Sequence, residues 1–153
     1  MKAALRQIIE RDGPLTRASV HRLYVEASPH LQRAGKAVRQ SINHLLGAML
    51  RAGEIVQEDE FGDGSTEGLV LRLASAPRVR ERPAGRRDLM DVPPSELLLV
   101  LERTPHQLAI GQAGEEEVMR RLLDHFGYTR LTTVRRKRLH RVLDLLRRLS
   151  ATP

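Results

Sequence analysis

The stretch RAGKAVRQSINHLLGAMLR, residues 33–51, decides the fold of the N-terminal half. Its apolar residues recur every three or four positions: Val38, Ile42, Leu45, Leu46 and Met49. This spacing places them on one side of an α-helix, where they form a stripe that packs against a core. Gly53 follows as a helix-terminating residue. The pattern therefore predicts an amphipathic helix over residues 33–51.

Two shorter helices are predicted before this one, and two extended segments after it. Thr16 is predicted to cap the second helix, because its hydroxyl can accept from free backbone N–H groups at the helix start. Extended segments begin at Ile55 and at Gly68, separated by the turn-forming residues FGDGS at 61–65. Three helices followed by one β-hairpin is the order of a winged helix. We therefore predict a winged-helix domain over residues 1–74.

The C-terminal half is predicted to be a second, smaller helical unit. Residues 75–94 are rich in proline and arginine, which is typical of a linker, and these arginines could track a phosphate backbone or fold against a partner. Three further helices are predicted within 95–150, where Leu139 aligns with Ile42 in a weak internal repeat. The expected fold class is mainly α: an N-terminal winged helix, then a three-helix winged-helix-like unit that lacks a wing.

The charge of the chain favours a polyanionic partner. Its 26 lysines and arginines outnumber its 19 aspartates and glutamates, for a formal net charge of +7. Excess positive charge promotes binding to nucleic acids because bound phosphates release condensed counterions. Nearly all these cations are arginine, however, which a GC-rich genome also produces. The distribution of the charge along the chain is therefore more informative than its sum.

Several classes of protein are disfavoured by the sequence. There is no cysteine, which excludes disulfides and thiolate metal sites. The histidines follow no zinc-site spacing: His21, His30, His44, His106, His125 and His140. No nucleophile elbow, secretory signal or membrane-spanning apolar run is found. We expect a protein with no enzymatic activity, metal or cofactor, located in the bacterial cytoplasm and associated with the nucleoid if it binds DNA.

Four short stretches occur in the order seen in one bacterial protein family: LQRAGKAVR at 31–39, VRER at 79–82, VPPSEL at 92–97 and FGYTR at 126–130. On these stretches, which extend over about two-thirds of the chain, the sequence resembles the uncharacterised C-terminal domain of large bacterial superfamily I helicase-like proteins. Those proteins often also carry a restriction-endonuclease-like domain. The resemblance implies an accessory nucleic-acid-binding role beside a helicase or nuclease partner. The motor itself is absent here, because the chain has no phosphate-binding loop of the Walker type.

The face of helix 33–51 opposite its apolar stripe is basic and rich in amides. It carries Arg33, Lys36, Arg39, Gln40, Asn43 and His44, followed by Gly47 and Arg51. Arginine and lysine can neutralise phosphate or contact guanine, while glutamine and asparagine can pair bidentately with adenine. An ordinary solvated face would mix both charge signs, whereas this helix has no acidic residue. Since the third helix of a winged helix usually enters the major groove, we predict that this face binds double-stranded DNA, with RNA as the alternative.

A second basic face is predicted on the last helix, about residues 132–149. It consists of Arg130, Lys137, Arg141 and Arg148. Nearby arginines add to the local positive charge: Arg135, Arg136 and Arg138. We predict auxiliary phosphate contacts here. The alternatives are a solubilising face and a face that docks on an acidic protein.

The predicted wing is acidic, which argues against the simplest form of DNA binding. Residues 54–71 contain six carboxylates and no lysine or arginine. Such a wing would point away from a duplex, bind a basic protein surface or cover the arginine-rich segment of its own chain. The alternative functions are therefore a protein-interaction adaptor of a helicase, nuclease or defence complex, or a dimeric transcriptional regulator. In the regulator, Leu145 and Leu149 would mediate homodimerisation.

Overall fold

The structure is a computed structural model that describes residues 1–83, 85, 87–103 and 111–152, with side chains from residue 114 onward in the last range. The chain divides into two compact units, Met1–Arg80 and Glu81–Pro153. The described residues are mostly helical, with six α-helices and one small three-stranded antiparallel sheet. The prediction of a mainly helical protein is confirmed. In the described part of the chain, no helix has both the length and the apolar character needed to cross a lipid bilayer.

The first unit consists of three helices and three strands: α1 (Lys2–Asp12), β1 (Leu15–Thr16), α2 (Arg17–Glu26), α3 (Lys36–Arg51), β2 (Ile55–Asp59) and β3 (Leu69–Leu73). Strand β3 lies in the middle of the sheet and runs antiparallel to both neighbours. The β2–β3 register pairs Ile55 with Leu73 at one end and Asp59 with Leu69 at the other. The hairpin predicted after the third helix is thereby confirmed.

The core of the first unit is aliphatic and takes side chains from all three helices and the sheet. Helix α3 contributes the predicted stripe, since Ile42, Leu46 and Met49 are buried, with Val38 and Leu45 packed beside them. The other buried members of this core are Leu5, Ile8, Ile9, Leu15, Val20, Ile55 and Leu71. Burial of this side of α3 leaves its opposite side in solvent, which positions the candidate interface.

Two details of the first unit differ from the sequence predictions. Helix α3 begins at Lys36 rather than at Arg33, because Gly35 takes an extended conformation at the N-cap. The pattern also does not predict β1, since two residues are too few to show a periodicity. Thr16 ends this strand and caps α2 as predicted, with its hydroxyl oxygen accepting from the backbone N–H of Ser19 at 3.2 Å.

The second unit contains a short 3₁₀ turn and three helices: Leu89–Asp91, then α4 (Pro94–Arg103), α5 (Gly111–His125) and α6 (Thr133–Ala151). Its apolar core draws on all of these elements: Leu89, Val92, Leu97, Leu101, Met119, Leu122, Leu123, Phe126, Leu139, Val142 and Leu143. Thr132 caps α6, accepting from the backbone N–H of Arg135 at 3.3 Å. The periodic apolar positions of the last helix are therefore its buried side.

The arginine- and proline-rich segment 75–94 does not stand apart as a linker. Residues up to Arg80 belong to the first unit and the following residues to the second. The division between the units thus falls inside the predicted linker, between the boundaries predicted at 74 and 95. Arginines of this segment have acceptors inside the units. Arg78, for example, pairs with Glu58 of β2 at 2.7 Å. Arg86, which belongs to the same segment, lies outside the described residues.

Three charged side chains form an ion cluster inside the second unit. Glu96 is 1% exposed and accepts from both terminal nitrogens of Arg87, at 2.8 and 2.9 Å. Arg82 donates to the same carboxylate through its backbone N–H and its guanidinium. The Tyr128 hydroxyl donates to the backbone carbonyl of Arg87. Arg82 and Arg87 therefore serve the fold of this unit and are not available to track a phosphate backbone.

Candidate nucleic-acid interface

The outer side of α3 carries most of the residues that the sequence predicts as the principal contact face. Five of them are exposed on the helix: Lys36, Arg39, Gln40, Asn43 and His44. Their exposure follows from the burial of the apolar stripe, since a repeat of 3.6 residues keeps the two sides of a helix apart. Arg33 is also exposed but lies ahead of the helix, so the helical row starts at Lys36.

The cations of α3 have no carboxylate partner among the residues that the structure describes. Within the described ranges, Lys36, Arg39 and Arg51 make no ion pair, and α3 itself contains no acidic residue. Several exposed cations elsewhere in the unit do pair with carboxylates, as when Arg22 of α2 pairs with Glu26 at 2.6 Å. Positive charge therefore accumulates on the outer side of α3.

Arg39 is held in place by the backbone just ahead of α3. Its Nε donates to the carbonyl oxygen of Ala34 at 2.8 Å. Its two terminal nitrogens have no hydrogen-bond partner among the residues the structure describes. Oriented guanidinium donors of this kind suit bidentate contact with a phosphate or with the major-groove edge of guanine.

A polar network joins α2, α3 and β2 beside this face. Arg17 donates to Oδ1 of Asn43 at 3.2 Å and to Oε1 of Gln57 at 2.9 Å. Nε2 of His21 lies 3.0 Å from the same Asn43 oxygen and donates to it. Both lone pairs of the Asn43 oxygen are therefore occupied by protein donors.

This network changes the role predicted for Asn43. Bidentate pairing with adenine needs the side-chain amide to donate through nitrogen and accept through oxygen at the same time. With its oxygen engaged, Asn43 keeps only its NH₂ group as a donor. Gln40 makes no hydrogen bond among the described residues, so it is the amide of this face that retains both functions.

Arg17 and His21 are polar residues of this region that sequence reasoning missed. They lie one helical turn apart directly after the Thr16 cap, so they share one face of α2. Burial lowers the pKa of His21; the hydrogen bond to Asn43 opposes this shift, and the charges of Arg17 and Arg39 add to it. Burial also lowers the pKa of Arg17. Their spacing of four residues could have indicated a shared polar face of α2, but only the fold shows which residues they contact.

The free energy of unfolding of the first unit is expected to decrease on acidification below about pH 6.5. Because the pKa of folded His21 is depressed, the unfolded state binds more protons in this range. The stability contributed by neutral His21 is complete above the unfolded pKa and is lost as pH falls through the folded pKa. Urea unfolding between about pH 5 and 8 measures how the free energy of unfolding depends on pH. In His21→Gln the slope of this dependence should be smaller, by an amount that corresponds to less than one bound proton. The control His44→Gln, at an exposed position, should keep the wild-type dependence, and an equal dependence in His21→Gln would contradict the assignment.

The carboxylates of the β2–β3 hairpin are largely engaged within the first unit. Glu54 pairs with Lys2 at 2.6 Å, and Glu58 pairs with Arg78 at 2.7 Å. Asp59 accepts from two backbone N–H groups of the turn that follows it. The pair between Glu58 and Arg78 matches the alternative in which the acidic hairpin covers the arginine-rich segment of its own chain.

The four residues predicted for the second basic face are exposed or half-buried: Arg130, Lys137, Arg141 and Arg148. Arg130 lies ahead of α6 and the other three lie on it. Arg138 does not belong to this face, because its side chain is buried and donates to the carbonyl of Val92 at 2.8 Å. Arg135 lies over a tyrosine ring, and Arg136 pairs with Glu116 at 3.5 Å. Much of the local arginine density is therefore used by the unit itself.

Comparison with known proteins finds no match. No protein-family model, no curated protein and no solved structure matches the chain. The resemblance to the C-terminal domain of superfamily I helicase-like proteins consequently stays a prediction. Among the residues with described positions, no three His, Asp or Glu side chains are grouped so that they could hold a metal ion.

Proposed function

We propose that this chain is a non-catalytic module that binds double-stranded DNA through the outer side of α3. The observation that carries the proposal is the row of exposed cations and amides on α3, without a carboxylate partner among the described residues. An uncompensated positive face attracts a polyanion, because bound phosphates replace its counterions. Duplex DNA is a polyanion whose major groove admits an α-helix.

The first unit is, in this proposal, a winged helix. The order α1–β1–α2–α3–β2–β3 and the three-stranded antiparallel sheet support it. Helix α3 would be the recognition helix and the β2–β3 hairpin the wing. The internal engagement of Glu54, Glu58 and Asp59 reduces the repulsion that an acidic wing would otherwise exert on phosphates.

The side chains of α3 would divide their roles by chemistry. Lys36 supplies a point charge for phosphate. The terminal nitrogens of Arg39, which have no partner among the described residues, can bridge a phosphate or contact guanine. Gln40 is the residue suited to adenine. Because most protein–DNA hydrogen bonds go to phosphate and sugar, Lys36 and Arg39 should supply most of the affinity and Gln40 the base preference.

The second unit offers weaker candidates for DNA contact. Arg130 and Lys137 are exposed and unpaired among the described residues, so they would add phosphate contacts that carry no sequence information. A helicase or nuclease partner, implied by the resemblance, would then be directed to DNA by this module. The adaptor alternative needs free carboxylates on the hairpin, and their internal engagement makes DNA binding the favoured function.

Replacing Lys36, Arg39 and Gln40 together by alanine is expected to weaken binding to a short DNA duplex at least about tenfold. The substitution removes two cations that have no carboxylate partner in the described part of the chain, together with the amide of Gln40. Fluorescence anisotropy between about 50 and 200 mM salt measures the affinity and its salt dependence. The slope of log K against log[salt] should become shallower by about two, because two side chains that neutralise phosphate have been removed.

A matched control removes the same number of positive charges from paired positions. Arg11 and Arg22 are exposed on α1 and α2, where they pair with neighbouring carboxylates. The double variant Arg11→Ala/Arg22→Ala should bind nearly as tightly as wild type. Equal losses of affinity in both variants would show that only net charge matters and would remove the assignment to α3. Weak binding of the wild-type chain at physiological salt would contradict the DNA proposal itself.

A further inference from the structure

A cleft of about 470 Å³ in the first unit is lined by α2, α3 and the hairpin connection. Its polar lining consists of Arg17, His21, Arg39, Asn43 and Thr66, and none of the lining residues is acidic. Two arginines therefore meet in one concave site without a carboxylate in its walls.

Hydrogen-bond donors outnumber acceptors in this cleft. A guanidinium has five N–H donors, of which Arg17 uses two on the amide oxygens of Asn43 and Gln57. Arg39 uses one, on the carbonyl of Ala34. The remaining donors of both arginines have no partner among the described residues. The occupied oxygen of Asn43 also leaves its NH₂ group as a donor.

No carboxylate of the described residues lines the cleft, so its arginines have no counter-charge there. Desolvation lowers the pKa of Arg17, and no carboxylate offsets this effect. The pKa of His21 is lowered as well, chiefly by burial, while both arginines repel its protonated form. The Nδ1 atom of His21 is buried and has no hydrogen-bond partner in the part of the chain that is described. A bound anion would compensate both guanidinium groups and favour protonation of this imidazole.

We propose that the cleft lined by Arg17, His21, Arg39, Asn43 and Thr66 binds a phosphoryl oxyanion. Planar guanidinium groups recognise such oxygens through paired charge-assisted hydrogen bonds, and the amide and hydroxyl groups add single donors. The phosphoryl group has two sources with the same chemistry: a backbone phosphate of DNA or a free phosphate compound. Binding of a DNA backbone phosphate here rests on the proposed function. The existence of an oxyanion site does not.

Titration of the full chain with inorganic phosphate at constant ionic strength tests the site. Histidine ring signals in the NMR spectrum should show a saturable shift of His21, assigned with His21→Gln, and an increase in its pKa. His30 and His44 do not line the cleft and serve as internal references. A shift of His21 no larger than that of these two histidines would overturn the proposal.

Arg17→Gln is expected to weaken phosphate binding about tenfold, because it removes a charged donor. Arg22→Gln is the matched control on the same helix, since Arg22 pairs with Glu26 outside the cleft, and it should bind phosphate as wild type does. Arg17→Lys keeps the positive charge but loses the planar guanidinium group. Its affinity for phosphate should lie between those of Arg17→Gln and Arg22→Gln. Unchanged affinity in Arg17→Gln would overturn the site, and the wild-type His21 readout decides the question if that variant does not fold.

A parallel experiment with a short DNA duplex identifies the source of the phosphoryl group. Competition between duplex and phosphate, with weaker duplex binding in Arg17→Gln, would assign the site to the DNA backbone. Phosphate binding without such competition would assign it to a free phosphate compound. Duplex binding with no effect of phosphate on His21 would overturn the cleft and leave the proposed function standing. Phosphate binding without any duplex binding would support the cleft and overturn the proposed function.

Discussion

Glu96→Ala is expected to lower the free energy of unfolding of the second unit by about 3–5 kcal/mol, the usual cost of removing one partner from a buried ion pair. The Glu96 side chain is 1% exposed, and those of Arg82 and Arg87 are 13% and 19% exposed. Its removal takes away the carboxylate that pairs with both of these largely buried guanidinium groups. The cost of burying these charges would then no longer be offset by their ion pairs with Glu96.

Hydrogen exchange combined with urea unfolding can measure this loss of stability. Peptides from α4 and α6 should exchange faster in Glu96→Ala, and the unfolding midpoint should shift to lower urea. Glu102→Ala removes an exposed carboxylate from the same helix and should change stability by no more than about 0.5 kcal/mol. If both variants behave alike, the cluster around Glu96 contributes little to the fold.

Leu46→Ala is expected to destabilise the first unit by about 2–5 kcal/mol. Leu46 is fully buried in the stripe of α3 that packs on α1, α2 and the sheet. Truncation reduces apolar burial and leaves a cavity that the surrounding aliphatic side chains can only partly fill. Because the same stripe orients the outer side of α3, we also expect weaker DNA binding at temperatures where the variant begins to unfold.

The neighbouring position provides a control of opposite sign. Gly47 is helical, and a Cβ added there would meet only the flexible end of Arg51, at 3.4 Å. Gly47→Ala should therefore stabilise the unit by about 0.5–1 kcal/mol, since alanine loses less backbone entropy in a helix. Urea unfolding of the two variants measures both effects. A stability of Leu46→Ala equal to wild type would contradict the assignment of α3 as the core helix.

Local features of the fold were accessible from the sequence because they depend on neighbouring residues. The apolar repeat of residues 38–49 predicts which side of α3 is buried, and Thr16 predicts where α2 begins. The start of α3 is displaced to Lys36 because the conformation of Gly35 ends the preceding loop, and β1 is too short to leave a pattern. The acceptors of Arg78 and Arg82 could not be predicted, because Glu58 and Glu96 lie 20 and 14 residues away from them in the chain.

The candidate interface also combines features that were predictable from the sequence with features that were not. Exposure of Lys36, Arg39 and Gln40 follows from helical periodicity, so it was predictable. The engagement of the Asn43 oxygen was not, because its partner Arg17 lies 26 residues away in the chain. The same holds for Arg138, whose carbonyl acceptor is 46 residues distant. Residues of the same type therefore have different roles in the structure: Arg39 is exposed on α3, whereas Arg138 is buried.

By itself, the sequence determined the helical character of the chain, the amphipathic side of α3, the cap at Thr16 and the hairpin. These properties arise from the repeat of a helix or strand and from bonds between near neighbours, which spacing along the chain encodes. Only the tertiary structure decided which of the many arginines are free cations and which belong to the fold. A charge is engaged or available according to the acceptors that packing brings beside it, and those come from distant parts of the chain.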